Sequence, residues 1–215
     1  EAPMGKRILV INGHPDRSKA HLCDAFAAAY VEAASAAGHS VRSIDLANVE
    51  FPILRSQEEF ESRNVPTALE AAVQDIRWAE HLVFIFPLWL GTMPALLKAF
   101  LEQVMRPGVA FEYGAKGGFP KTLLKGRTAR LIVTMGMPPL VFRLWFRSHG
   151  IATLRRSILN FAGIRPVRET LFGMLDQADE GTCNGWIAQL QALGARAILQ
   201  AGPRTLWLDP LDHKD

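Results

Sequence analysis

Residues 81–106, HLVFIFPLWLGTMPALLKAFLEQVMR, are the stretch that decides the fold of this chain. The apolar run at 82–86 is too short to span a membrane and too unbroken for a half-exposed strand, so it predicts a strand buried on both faces. Pro87 is expected to end this strand, and Pro94 can begin a helix because first-turn N–H groups have no intrahelical partner. The loop between the two prolines therefore lies at the sheet edge where open α/β sheets bind ligands.

The composition is that of an ordinary globular protein. The 215 residues are 49% hydrophobic and 21% charged, and we expect a single domain over residues 1–215 with an extended tail from about residue 203. The 24 basic and 21 acidic residues are interspersed, which argues against a nucleic-acid partner. No apolar run is long enough to span a membrane, and the six histidines and two cysteines lack metal-ligand spacing. We expect a cytoplasmic protein with reduced cysteines and no metal site.

Strands and helices alternate along the chain. Strands are predicted at 7–12, 41–46, 82–86, 127–134 and 165–173, and helices at about 21–37, 67–79, 94–106, 140–161 and 179–199. This alternation predicts right-handed βαβ crossovers and a doubly wound, five-stranded parallel sheet. We expect the flavodoxin-like strand order 2-1-3-4-5, which brings the loops at 13–21, 87–94 and 134–139 to one mouth.

The loop at 13–21 carries polar side chains into a helix N-terminus. It lacks the dinucleotide and P-loop signatures, but Ser18, Lys19 and His21 beside the positive end of a helix would suit a phosphate or pyrophosphate. The equally acceptable alternative is that Ser18 only caps the helix.

The loop at 87–94 offers an apolar wall. Trp89 presents a flat ring, and Gly91 lets backbone approach a ligand closely, so the loop would suit an aromatic ring system. The alternative is that Trp89 and Leu90 simply belong to the core.

Three segments together resemble one known family. They are GHPDRSKAHL at 13–22, FPLWLGTMPALLKAFLEQVMRPGVAFEY at 86–113 and RLIVTMGMP at 130–138. They resemble the flavodoxin-like NAD(P)H:quinone oxidoreductases, the group that contains quinone reductase and modulator of drug activity. The resemblance runs from about residue 6 to residue 173, and the middle segment is its most specific part.

The resemblance implies a flavin site built from the three loops. The residues it would place around the flavin phosphates are His14, Ser18, Ala20 and His21. Those lining the isoalloxazine, with backbone hydrogen bonds to its polar edge, would be Pro87, Leu88, Trp89 and Leu90, and those on its far side Thr134, Gly136 and Met137. Two departures stand out: family members often have Asn at the position of His21, and Thr-Gly-Gly at residues 135–137.

The resemblance also implies an activity. NAD(P)H would reduce a bound FAD or FMN, with FAD slightly favoured, and a quinone or similar flat acceptor would then take the hydride in a two-electron, ping-pong reaction. His149 is a candidate for assisting hydride transfer, and its alternative is an exposed helix-end histidine. A homodimer with the site at its interface is expected, whereas the choice between NADH and NADPH stays open.

Two other function classes remain open. The first is a regulatory flavodoxin-fold subunit that docks on a transporter or another partner through the helix at 140–156. The second is an electron-carrier flavodoxin, although the acidic surface of such carriers is missing. The aromatic residues at 142–146 lie at helical spacing, which predicts packing or a dimer contact in preference to a lid or a membrane-touching patch.

Overall fold

Five parallel strands form the central sheet of the computed structural model, which describes residues 5–114 and 118–197. The strands along the described chain are β1 (Arg7–Asn12), β2 (Ser40–Asp45), β3 (His81–Pro87), β4 (Phe111–Glu112), β5 (Lys121–Thr122), β6 (Thr128–Thr134) and β7 (Val167–Phe172). The central sheet has the order β2-β1-β3-β6-β7, while β4 and β5 form a separate antiparallel pair. The predicted order 2-1-3-4-5 is confirmed, because β6 and β7 are the fourth and fifth strands of the sheet.

Helices cover both faces of the sheet. They are α1 (Leu22–Ala36), α2 (Gln57–Glu61), α3 (Thr67–Trp78), α4 (Ala95–Val104), α5 (Pro139–Leu144), α6 (His149–Ala152), a π-helix (Thr153–Asn160) that continues α6, and α7 (Glu180–Arg196). Core residues of α1 and α7 pack on one face, and those of α3 to α6 pack on the other. The fold is therefore the doubly wound α/β arrangement that the alternation of elements predicts.

The strand β3 lies at the centre of the sheet, as the apolar run predicts. All seven of its residues are buried. Val83 and Ile85 belong to the core under α1 and α7, whereas Leu82, Phe84 and Phe86 belong to the core on the opposite face. Because successive side chains of a strand point to opposite faces, only an unbroken apolar run can fill both cores. Burial of each such side chain stabilises the fold by roughly 1.5–3 kcal/mol.

The prediction of one continuous helix at 140–161 is wrong. The α-helix α5 ends at Leu144, and Arg147 and Ser148 then have φ angles of 48° and 50°. A Cβ built on Gly150 would lie 2.1 Å from the carbonyl oxygen of Gly91, so α6 packs directly on the loop after β3. This tertiary contact redirects the chain where the apolar periodicity alone would continue one helix.

The remaining boundaries differ little from the predictions. The irregular stretch predicted at 51–66 contains the short helix α2, which Ser56 caps by accepting from the N–H of Glu59. The tail predicted from about residue 203 lies outside the described residues. Within the described ranges, no helix has the length and apolar character that a bilayer crossing requires.

Candidate functional site

Three loops meet at the carboxyl edge of the sheet, as the strand order predicts. They follow the neighbouring strands β1, β3 and β6. The N–H of Gly13 donates to the carbonyl of Ile85 at 2.7 Å, and the N–H of Leu88 donates to the carbonyl of Thr134 at 2.7 Å. These hydrogen bonds join each loop to its neighbouring strand, so the three loops form one mouth.

His14 anchors the first loop from within. Its side chain is buried, its N–H donates to the Asn12 side chain, and its Nδ1 accepts from the N–H of Asp16 at 3.2 Å. Because Nδ1 is an acceptor, the proton of the neutral ring is on Nε2. Burial lowers the pKa of His14, and the neighbouring His21 lowers it further.

The Asp16 carboxylate accepts hydrogen bonds from donors of the same loop. It accepts from the N–H of Ser18 at 2.8 Å and from Nε2 of His21 at 2.9 Å. Hydrogen bonds from the hydroxyl and the N–H of Ser18, together with that from His21, hold the pKa of Asp16 far below its usual value. Asp16 is therefore an anion at any physiological pH.

The start of α1 shows that the capping alternative for Ser18 is wrong. His21 occupies the N-cap position, and its N–H donates to the Asp24 carboxylate at 2.7 Å. The other oxygen of Asp24 accepts from the Asn12 side chain at 2.6 Å. Ser18 and Ala20 lie exposed ahead of the helix, so the hydroxyl of Ser18 is directed to Asp16 and not to α1.

Rings from two loops contact one another at the mouth. The imidazoles of His14 and His21 stack with centroids 3.7 Å apart, and the Trp89 indole meets His14 edge-on at 5.9 Å. Trp89 is 47% exposed and Leu90 is fully exposed, so the core alternative for this pair is wrong. The indole thus forms an exposed wall beside the polar loop.

Residues 89–92 form a tight turn. Trp89 and Thr92 exchange both backbone hydrogen bonds, at 2.9 and 3.0 Å. The central residues Leu90 and Gly91 have φ angles of 48° and 79°, a conformation that costs a leucine on the order of 1–3 kcal/mol. The N–H groups of Trp89 and Thr92 are engaged within the turn, whereas those of Leu90 and Gly91 have no partner among the described contacts.

The third loop contributes main chain more than side chains. Thr134 is buried, and its hydroxyl lies 3.6 Å from the Cys23 thiol, beneath the mouth. Burial raises the pKa of Cys23 to about 12, so this sulfur stays a thiol. Gly136 is exposed, whereas Met137 packs partly on the core.

His149 is the first residue of α6, and its side chain is exposed. Through Gly150, this helix start lies against the turn at 89–92. This is the exposed helix-end position of the alternative interpretation, and a part for His149 in hydride transfer stays a prediction.

Exposed apolar residues lie on the turn after β3 and along and just after α5. We call them the apolar rim; they are Trp89, Leu90, Leu140, Val141, Leu144, Trp145 and Phe146. The segment at 139–149 includes Arg143 and Arg147 but no acidic residue. Exposed apolar patches on folded domains are typical of interaction sites.

A separate cavity lies away from this mouth. It has a volume of about 670 Å³ and lies between α3 and the segment after α4. Both arginines that line it are already engaged, Arg63 with Glu112 at 3.7 Å and Arg77 with the carbonyl of Gly108 at 2.8 Å. We therefore place the candidate site at the sheet edge, where polar donors and exposed rings converge.

Sequence reasoning missed three polar residues of the mouth. Asn12, Asp16 and Asp24 organise the first loop, and Asp16 stands two residues before Ser18, the spacing of an Asx-turn. That spacing could have identified Asp16. The contact between Asn12 and Asp24 has no comparable local signal. Among the described residues, no group of three or more His, Cys, Asp or Glu could hold a metal ion.

The chain is similar to several known proteins. FMN-dependent NADH:quinone oxidoreductase 1 of Hahella chejuensis is 28% identical over 113 residues, 52% of this chain and 52% of the relative. The FMN-dependent NADH:quinone oxidoreductase of Macrococcus caseolyticus is 26% identical over 215 residues, 87% of this chain and 98% of the relative. The chain spans about half the length of several of the curated relatives that it matches.

The fold and the sequence profile agree with these similarities. The structure of an NAD(P)H:quinone oxidoreductase from Methanothermobacter marburgensis superposes with a TM-score of 0.71 at 21% identity, over 90% of this chain and 100% of the other. At that identity the likeness concerns the fold alone. Residues 6–193 match the profile of the family described as having a flavodoxin-like fold, and this chain belongs to that family.

Proposed function

We propose that this chain is a flavin-dependent NAD(P)H:quinone oxidoreductase that uses FMN. The observation that carries the proposal is the mouth itself, where anion-binding donors and an exposed indole lie side by side at the carboxyl edge of a flavodoxin-like sheet. The relatives named as FMN-dependent NADH:quinone oxidoreductases support the same activity.

The donor set fits a flavin phosphate. Ser18 offers a hydroxyl and an N–H, His21 offers Nε2, and all three already converge on one anion, the carboxylate of Asp16. They lie at the positive end of α1, where backbone dipoles favour negative charge. We propose that His14 and Ala20 complete this phosphate subsite.

The second and third loops fit a flat aromatic ring. Trp89 offers an exposed face, and a Cβ built on Gly91 would meet no described atom within 4 Å, so a ring can approach the turn. We propose that Pro87, Leu88 and Leu90 line the ring with Trp89. Thr134, Gly136 and Met137 would flank its far side.

A bound flavin would supply the two-electron hydride chemistry. The chain would supply position and polarity. Trp89 and Leu90 would exclude water from the ring, and the N–H groups of Leu90 and Gly91 are available to its polar edge. Such preorganised donors stabilise developing negative charge without a titrating side chain.

Several relatives are informative about the choice between FMN and FAD. Their names specify FMN and do not support the slight preference for FAD. Those names also specify NADH, so we propose NADH as the reductant.

We also propose that the protein is a homodimer that covers the apolar rim. Leu144 is 71% exposed and Trp145 is 82% exposed, values that favour an apolar partner over water. Because the rim includes Trp89 and Leu90, a second copy would also enclose the flavin mouth. Light scattering should give twice 23.8 kDa for the native chain. The variant Leu144→Glu should be monomeric, whereas Ile53→Glu, at an exposed apolar residue outside the rim, should not.

The same rim is the one observation that favours the alternative of a regulatory subunit. In that case, a foreign partner would occupy it in place of a second copy. A dimer that loses its rim contact in Leu144→Glu, combined with rapid quinone turnover, would exclude the alternative.

Purification tests the proposed function directly. We expect a yellow protein, or an apoprotein that turns yellow with FMN, whose released cofactor has the mass of FMN. Steady-state assays should show NADH oxidation with menadione and parallel-line ping-pong kinetics. A colourless protein that takes up neither FMN nor FAD and does not oxidise NADH or NADPH would overturn the proposal.

A further inference from the structure

We propose that the carboxylate of Asp16 is an internal competitor of the flavin phosphate. In the structure it occupies the donors that the proposed phosphate subsite offers, and it must turn away before a phosphate can use them. The inference rests on the proposed function and names a residue that sets how tightly the phosphate is held.

The contacts of Asp16 are those of a bound anion. One oxygen accepts from the N–H of Ser18 at 2.8 Å, the other accepts from Nε2 of His21 at 2.9 Å, and the Ser18 hydroxyl also donates to the carboxylate. A backbone N–H, a hydroxyl and an imidazole at the start of a helix form the usual donor set for a phosphate monoester. The carboxylate thus stands where phosphate oxygens would accept.

The imidazole donor, His21, does not depend on Asp16 for its position. His21 is held by the stacked ring of His14 at 3.7 Å, and its N–H donates to Asp24 at 2.7 Å. Asp24 is itself fixed by the side chain of Asn12 at 2.6 Å. When the carboxylate leaves, His21 therefore stays in place with Nε2 free to donate.

The backbone of Asp16 is also held in place independently of its carboxylate. The N–H of Asp16 donates to Nδ1 of the buried His14 at 3.2 Å. Its side chain is 38% exposed, so χ rotation can carry the carboxylate into water without moving the loop. Exchange of one anion for another therefore needs a side-chain rotation only.

The competition lowers phosphate affinity. A phosphate must first break the charge-assisted hydrogen bonds of the carboxylate, and it then lies near a second negative charge. Removal of the carboxylate removes both costs. We expect FMN to bind about tenfold more tightly to an Asp16 variant, the factor that corresponds to one charge-assisted hydrogen bond.

The test measures flavin binding and not turnover. Dissociation constants of FMN and of riboflavin, which lacks the phosphate, are measured by fluorescence titration of the full-length apoprotein. The variants are Asp16→Ala, Asp16→Asn and, as a charge control on the exposed face of α1, Glu32→Gln. Thermal melts verify that each variant is folded.

The expected pattern is specific to the phosphate. Asp16→Ala should bind FMN about tenfold more tightly with riboflavin unchanged, Asp16→Asn should do so by a smaller factor, and Glu32→Gln should match the native chain. Unchanged or weaker FMN binding in Asp16→Ala would overturn the inference, as would an equal gain for riboflavin. If the native chain and the Asp16 variants all bind no flavin, it is the proposed function that fails.

Discussion

The two edges of the central sheet each hold a histidine with a lowered pKa, but in different settings. At the carboxyl edge, His14 lies in a loop, stacks on His21 and meets an exposed indole. At the amino edge, His81 is the first residue of β3, and its Nδ1 lies 2.7 Å from the Thr128 hydroxyl in the neighbouring strand.

The contrast shows that a shifted pKa does not by itself identify a functional site. Burial is the largest cause of both shifts, and a neighbouring basic side chain adds to each, His21 at one edge and Arg130 at the other. The edges differ in access: loops with exposed donors and rings surround His14, whereas strands and helices enclose His81. We therefore expect changes at the amino edge to alter stability and changes at the carboxyl edge to alter flavin binding.

The largest expected effect is acid destabilisation through His81. Burial and the charge of Arg130 lower its pKa from 6.5 to about 4, so between these values the unfolded chain binds a proton that the folded chain does not. Stability from this group is complete above pH 6.5 and is lost as the pH falls towards 4, by about 3 kcal/mol.

Urea unfolding of the native chain and of His81→Asn at several pH values measures this effect. The difference between their unfolding free energies should narrow or reverse as the pH falls from 7 to 4. His149→Gln, at an exposed histidine, should track the native chain. A pH-independent difference between the native chain and His81→Asn would contradict the assignment.

At the carboxyl edge, the change Trp89→Val should weaken FMN binding by about 10- to 100-fold, the factor that corresponds to one aromatic stacking contact. The indole is 47% exposed, so the melting temperature should change little. Fluorescence titration and thermal melts of the same preparations give both numbers. Tyr113→Ala, at an exposed aromatic residue of the β4 and β5 region, is the matched control and should keep native affinity. Unchanged FMN affinity in Trp89→Val would refute the proposal that Trp89 lines the flavin ring.

The difference between strands and loops also explains which features could be predicted from the sequence. The strand order and the meeting of three loops follow from local patterns, because an apolar run such as 82–86 fits only a doubly covered strand. The conformation of the loops does not follow, because it depends on contacts distant in sequence. Gly150 packs on Gly91, and Asn12 holds Asp24, yet neither contact has a local signature. The core alternative for Trp89 could not be decided for the same reason.

The smallest expected effect again concerns the amino edge. The hydroxyl of Tyr30 is buried without a hydrogen-bond partner among the described residues, beside a cavity of about 10 Å³ lined also by His81 and Arg130. Burial raises the pKa of this phenol to about 12, so it stays neutral. An unsatisfied buried hydroxyl is destabilising, and Tyr30→Phe should raise the unfolding free energy by up to about 1 kcal/mol.

Urea unfolding measures the gain in Tyr30→Phe, and Tyr113→Phe, at an exposed phenol, is the control that should show none. FMN affinity should be unchanged, because this hydroxyl lies at the amino edge, among residues of α1, β3 and β6 far from the loops of the mouth. A loss of stability above 1 kcal/mol would instead mean that the cavity, which is just large enough to admit one water, holds a water bridging the hydroxyl to its polar neighbours. Weaker FMN binding in Tyr30→Phe would mean that the two edges are coupled. The polar groups at the amino edge would then affect the flavin site as well as the stability of the fold.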